Sequence, residues 1–442
     1  MSQLTADSAG SMSSPRQAEF PDMRPDNIYL PNGGASGLST MLLIVGVVGL
    51  AAVAAAGFAG LGVADKGYAV KHALAAYHVG TLTVLTMGLG GLFFTLAFHL
   101  IGAGWSATIR RQFENLAALL PLAVLMMIPT MVIEVMGNGH LFSWMNPKFA
   151  DATLLKEKAS YLNTPFFVVR FVVYGVIWTL LSVLMNGYSR KQDVTGDRWL
   201  TAKAAKWAAP GMVVFALSVA FASFDFLMAL DFRFFSTMWG VYIFAGSAFS
   251  SLAVMALVFA WLKGKGLLKG VVTEEHFHDL GKLLFSFTVF WSYIAFSQYF
   301  LIWYSNIPEE TAFYLFRKSG NVGEISYNTM FVLLCLGHFG VPFLFFIWRK
   351  AKRTPGLAAT MALWMIFIHI IDLTWLVRPM VFADAGPEIV QPGVEAWWIP
   401  IAGVLGPVGV AGFFLLRRMA SGPLVPLQDP RLHEALHHKN YV

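Results

Sequence analysis

The sequence predicts an all-α polytopic membrane protein with ten transmembrane helices. Three observations carry this. Ten stretches of roughly 20 or more mostly apolar residues run along the chain, and about 20 such residues cross a bilayer as an α-helix. The 442 residues are 57% hydrophobic and only 13% charged, against roughly 25% charged in soluble domains. The Lys and Arg residues gather in short loops between the apolar stretches on one side, which gives the net charge of +6 a topological meaning and assigns it no nucleic-acid partner.

The spans are read at 38–63, 74–103, 116–137, 165–187, 207–231, 237–262, 281–304, 323–349, 356–377 and 395–418. Outside them, the side that carries the N-terminal segment holds about twenty Lys and Arg, and the opposite side about nine. Both termini are therefore expected in the cytoplasm, with loops 138–164, 305–322 and 378–394 outside. Residues 1–37 are rich in Ser, Pro, Gly and acidic side chains; they resemble no secretory signal and read as a disordered or partner-docked tail.

The interior of the chain looks doubled. Asn-Leu-Ala-Ala-Leu-Leu at 115–120 opens the third span much as Asp-Leu-Gly-Lys-Leu-Leu at 279–284 opens the seventh. Asp225 in the fifth span and Asp372 in the ninth hold comparable places. The organisation that follows is a tail 1–37, a flanking helix and loop 38–73, a four-helix bundle 74–236, a second 237–394, a flanking helix 395–420 and a tail 421–442. Gly88, Gly91 and Thr95 in the second span, with the Gly246/Ser250 and Ser247/Ser251 pairs in the sixth, have the spacing that lets helix backbones approach in lipid.

Ionisable side chains inside spans are costly in hydrocarbon and mark function by default. They are His78, His99, Glu134, Arg170, Asp225, His338, His369 and Asp372. At 1.5 Å per residue, Glu134, Arg170, Asp225, Asp372 and His78 lie roughly 5–10 Å from the outer ends of their helices, with His369 slightly deeper. Glu134, Arg170 and Asp225 read either as an ion cluster that fixes helix packing or as a proton-transfer group. His369 and Asp372 are three apart on one helix face, an arrangement suited to proton exchange. Ser286, Tyr293, Ser297 and Tyr304 fall within about 20° of one line along the seventh span, so they read as a water-carrying stripe or as interhelical glue. Gln298 lies off that line.

Redox centres and metals are not expected in this chain. Cys335 is the single cysteine, too few for an iron–sulfur cluster. Axial haem ligation needs histidines at matched depth on facing helices, whereas His78 and His99 lie about 31 Å apart on one helix. His338 reads as sitting in the cytoplasmic half of the eighth span and His369 in the outer half of the ninth.

Residues 77–116 run from Tyr-His-Val-Gly through Gly-Leu-Gly-Gly-Leu-Phe-Phe to Gly-Ala-Gly-Trp-Ser-Ala-Thr-Ile-Arg-Arg and Glu-Asn-Leu. This stretch resembles the integral membrane subunits of the polysulfide reductase (NrfD-like) family. Gln-Tyr-Phe-Leu-Ile-Trp-Tyr-Ser-Asn-Ile-Pro-Glu-Glu-Thr-Ala-Phe-Tyr-Leu-Phe-Arg at 298–317, with Gln-Asp-Pro-Arg-Leu at 428–432, is most similar to the F subunits of alternative complex III, a bacterial quinol:electron-acceptor oxidoreductase. The resemblance implies ten helices in two four-helix bundles in the bacterial inner membrane. It implies partners: multihaem and monohaem cytochromes c, an iron–sulfur protein and a related ten-helix subunit, so that haem c and iron–sulfur clusters belong to partners. Within such a complex the related subunit is the better candidate for quinol oxidation, so no catalytic residue is carried over to this chain.

The leading expectation is a cofactor-free membrane subunit of this respiratory complex, contributing assembly, a proton path and a quinone contact. Glu134, Arg170, Asp225, His338, His369, Asp372, Ser286, Tyr293, Ser297 and Tyr304 are the proton-path candidates. A second reading is a quinol-binding catalytic subunit, with His78 and Asp225 as the pair that accepts quinol protons. A third is a stand-alone ion or solute transporter, to which Pro121, Pro129 and Pro342 give slight support as helix breakers.

Overall fold

A computed structural model describes residues 21–31, 35–63, 65–318, 321–322, 325–382 and 396–440. The expectations for residues 1–20 and for loop 383–394 lie outside the described residues. Among the described residues, ten helices are long and apolar enough to cross a membrane, and the chain is a multi-pass membrane protein. They are α1 (Ser36–Ala59), α2 (Lys66–Leu100), α3 (Arg110–Met136), α4 (Thr164–Thr195), α5 (Trp199–Leu230), α6 (Trp239–Gly264), α7 (Glu274–Ser305), α8 (Tyr327–Ile347), α9 (Pro355–Phe382) and α10 (Trp398–Ala420).

Several helices outrun their hydrophobic stretches. α4 continues to Thr195 and stops where Gly196 takes a left-handed conformation (φ +67°) that an L side chain resists. α7 begins at Glu274, where Thr273 and His276 close a capping box. Hydropathy marks where a helix leaves the hydrocarbon, whereas caps mark where it ends.

The segments before α1 and after α10 share one face. Leu268 N–H donates to Asn27 O at 3.0 Å, and Leu424 N–H donates to Ile28 O at 2.8 Å. The Asn27 side chain adds a bond to Lys269 O at 2.8 Å. Residues 25–30 are thus pinned between the α6–α7 loop and the post-α10 segment, so this part of the tail, expected to be disordered or partner-docked, is docked on the chain itself.

α2 is the hub. It packs on α3, α4 and α5 to form one group of four, while α6 packs on α7 and α9, with α8 against both of these, to form a second. The groups meet where α2 crosses α6; α1 and α10 pack on each other and on α2. Glycine makes these crossings possible. A Cβ on Gly90 would lie 2.0 Å from Ser247 O of α6, and one on Gly80 would lie 2.1 Å from Gly403 O of α10. Gly88 and Gly91 face α3 instead, against Leu120 and Ala117.

Gly90→Leu should therefore force α2 and α6 apart. Overpacking typically costs about 1–3 kcal/mol, and here the obstruction is backbone. The measurement is the thermal stability of the purified protein in detergent, with Gly187→Ala as the control, since a Cβ there meets nothing within 4 Å. Equal melting temperatures for the two variants would contradict this packing.

Candidate functional site

The polar interior divides into two clusters toward the face opposite the termini and one at the terminal face. In the first helix group, Arg170 of α4 grips Asp225 of α5 through two parallel bonds, Nε to Oδ2 at 2.8 Å and Nη2 to Oδ1 at 2.7 Å. Tyr174 donates its hydroxyl to Oδ2 at 2.8 Å, and the third guanidinium nitrogen donates to Tyr161 O at 2.9 Å. The guanidinium also lies over the Tyr161 ring, 3.8 Å from its centroid. Every strong valence of this pair is met, which is what a buried ion pair requires.

Glu134 does not join them. Its two oxygens accept the backbone N–H of Leu141 at 2.9 and 3.2 Å and of Phe142 at 3.1 Å, so it ties down the turn that leaves α3. The expected Glu134–Arg170–Asp225 cluster is corrected to a pair plus a separate loop anchor, because the backbone N–H groups of Leu141 and Phe142 take up the Glu134 oxygens. His78 is also no direct partner of Asp225. Its Nε2 is 3.0 Å from the carbonyl of the residue after Asp225, Phe226, and its Nδ1 has no hydrogen-bond partner among the described residues.

The stripe on α7 faces outward. Tyr293 and Tyr304 are 65% and 76% exposed, Ser286 is exposed and bonds its own helix at Lys282 O, and Ser297 is partly exposed. A row of hydroxyls on the outer surface carries no water chain through the bundle, which corrects that reading. The periodicity placed these residues on one face without saying which way the face points. Gln298, off the line, is the buried one: it reaches Ser236 and borders a cavity of about 400 Å³ between α6, α7, α8 and α9. Trp239, Tyr242, Trp291, Tyr299, Tyr314 and Trp375 make most of its aromatic wall.

Behind that cavity lies the second cluster. His338, His369 and Asp372 place one ligand atom each within 4.8 Å of one another, all three side chains buried. His338 was expected at the other membrane depth from His369, and the structure corrects this. A π-helical turn over Cys335–Gly340 resets the register of α8, and His338 points inward. Its ring is sandwiched face to face by Trp291 (centroids 3.5 Å, planes 13° apart) and Phe249 (4.2 Å, 26°). His369 Nε2 meets Thr86 Oγ1 of α2 at 2.9 Å, and Asp372 accepts the Tyr242 hydroxyl. Gly246 leaves His369 its room: a Cβ there would come within 3.2 Å of the ring. This group, chemically, can exchange a proton or take up a cation.

Arg317 and Arg378 are buried cations that escaped the sequence reading because they sit beyond the ends of the spans read from hydropathy. Arg317 donates to Phe313 O at 3.0 Å, Trp375 O at 3.1 Å and Leu376 O at 2.8 Å, compensated in part by the carbonyls that close α9. Burial pushes its guanidinium down to about 10. Arg378 donates to His72 O at 2.8 Å.

At the terminal face, Glu114 stands between Arg110 Nε (3.2 Å to Oε1) and Arg111 Nε (3.2 Å to Oε2), with His99 Nε2 at 4.0 Å. Arg111 continues to Asp193 at 2.7 Å, Asp193 accepts Leu427 N–H at 2.8 Å, and Arg110 meets Asp429. Residues 110–114 and 428–429, from two of the stretches that carry the resemblance, thus fold into one buried ionic network. An Arg-Arg-x-x-Glu spacing was the visible signal, since i,i+3 and i,i+4 residues meet on a helix.

No protein-family model matches this chain, and no curated protein matches it.

Proposed function

We propose that the chain is a membrane subunit, without redox cofactors of its own, of a quinol:electron-acceptor oxidoreductase of the alternative complex III type, where it contributes assembly and a proton-transfer route. Its place would be the bacterial inner membrane with both termini cytoplasmic, an orientation supported by the basic excess on the terminal face. Its partners would be a related ten-helix subunit, an iron–sulfur protein and multihaem and monohaem cytochromes c. Membership of the complex rests on the resemblance of residues 77–116, 298–317 and 428–432. The end of α7 and the loop after it, where Trp303, Tyr304, Ile307 and Leu315 are exposed, offer a surface for a partner on the face opposite the termini.

The observation that carries the proton-transfer part is the buried group Asp372, His369 and His338, which ends in the hydroxyls of Tyr242 and Thr86. A carboxylate and imidazoles enclosed within a membrane helix group are the side chains that relay protons there. The pairing of Arg170 with Asp225 leaves the first helix group's carboxylate neutralised and structural.

The test is purification through an affinity tag, followed by proton counting in vesicles. The chain should bring cytochromes c and the iron–sulfur protein with it. Asp372→Asn should then assemble normally, pass electrons at the wild-type rate and move fewer protons per electron, because Asn keeps the shape of Asp but does not titrate. A chain that elutes alone ends the complex reading; an unchanged proton count ends the proton-transfer reading.

A further inference from the structure

We infer that His338, His369 and Asp372 form a binding site for one divalent transition-metal ion. The argument begins with unmet valence. Among the described residues, neither ring nitrogen of His338 has a hydrogen-bond partner, nor does Nδ1 of His369, although both rings are at most 2% exposed. A neutral imidazole carries one N–H donor and one lone pair, and leaving either unmade in an apolar interior is unfavourable. One ring nitrogen from each histidine and one Asp372 carboxylate oxygen lie within 4.8 Å of one another, a separation that ligands at roughly 2.0–2.2 Å from a shared ion reach with small rotations.

The surroundings are those of a held ligand set. His369 is oriented from behind, its Nε2 fixed on Thr86 Oγ1 at 2.9 Å so that Nδ1 is the atom presented. Asp372 is oriented by the Tyr242 hydroxyl. His338 is clamped between Trp291 and Phe249, and the π-helical turn that brings it in is a feature that recurs at functional sites. The aromatic cavity of about 400 Å³ reaches Tyr242 and Trp291 and so abuts the group from the α7–α8 side.

Donor type selects the ion. Two imidazoles and one carboxylate suit zinc, iron(II) or cobalt(II); calcium and magnesium prefer oxygen alone. A dication there leaves a buried charge of only +1 with the carboxylate ionised and the imidazoles neutral. Binding needs nothing from the proton-transfer reading. Its consequence rests on that reading: an ion occupying the His369 lone pair and the Asp372 carboxylate closes the group to protons.

The experiment uses the full chain purified in detergent, stripped with a chelator and titrated with Co²⁺. One equivalent should bind saturably and give visible d–d absorption. Asp372→Asn and His369→Gln should abolish the absorption, while Thr86→Val, which touches no ligand atom of the ion, should weaken binding about 10- to 100-fold as outer-shell losses do. Absence of stoichiometric binding, or binding indifferent to all three variants, overturns the site. In vesicles holding the assembled complex, Zn²⁺ should lower the protons moved per electron. If one equivalent binds and the proton count stays constant, the metal site stands and the proton route through it falls.

Discussion

Asp225→Ala should remove most of the protein from membranes. The substitution leaves Arg170 buried among Tyr161, Phe166 and Phe167 with only the Tyr161 carbonyl still accepting from it. Breaking a buried pair by deleting one partner costs about 3–5 kcal/mol, comparable with much of a domain's total stability. The pair itself is worth far less than that loss, since its own desolvation is large. The double variant Arg170→Met with Asp225→Leu should accordingly recover most of the yield and melting temperature that the single variant loses. Yield from membranes and melting by size-exclusion after heating measure both. A double variant as unstable as Asp225→Ala would mean that the bidentate geometry itself holds α4 to α5.

Glu114→Ala should be at least as damaging, and in a different place. Glu114 lies between two arginines that are nearly or wholly inaccessible, and its removal leaves Asp429 and Asp193 to compensate them alone. The expected loss is again about 3–5 kcal/mol. It should show first as release of the segment after α10, because Asp429 is tied into the same network and Leu427 N–H is held through Asp193. Limited proteolysis after residue 421 should quicken several-fold, while Glu114→Gln should sit in between. Protection identical to wild type would show that the network does not hold that segment.

The ten helices were legible because bilayer thickness imposes a length that apolar runs must match. Which face of each helix meets its neighbours was not. In a membrane protein the lipid-facing and protein-facing sides are both apolar, so the contrast that orients a soluble helix is missing. The α7 stripe illustrates this: the 3.6-residue period aligned Ser286, Tyr293, Ser297 and Tyr304 correctly and left their direction open, while buried Gln298 was passed over. His338 was misplaced in depth for another reason: it lies near the middle of α8 (Tyr327–Ile347), where an error of a few residues in the span ends decides which half a residue is assigned to. Arg170 and Asp225 were found because charge inside a span has few resting places other than a partner. Glu134 deceived by the same logic; backbone N–H groups at a loop compete for a carboxylate and leave no mark in the sequence.

Synthesis runs in one direction and the packing around α2 does not. This helix is made before α6 and α10, yet those two carry the backbones that fill its glycine grooves, the latter more than three hundred residues downstream. Until those arrive, the hollows at Gly80 and Gly90 lack the backbones that fill them in the finished protein. The packing of α2 is therefore completed only by contacts of high sequence separation, the kind whose closure is slow in folding.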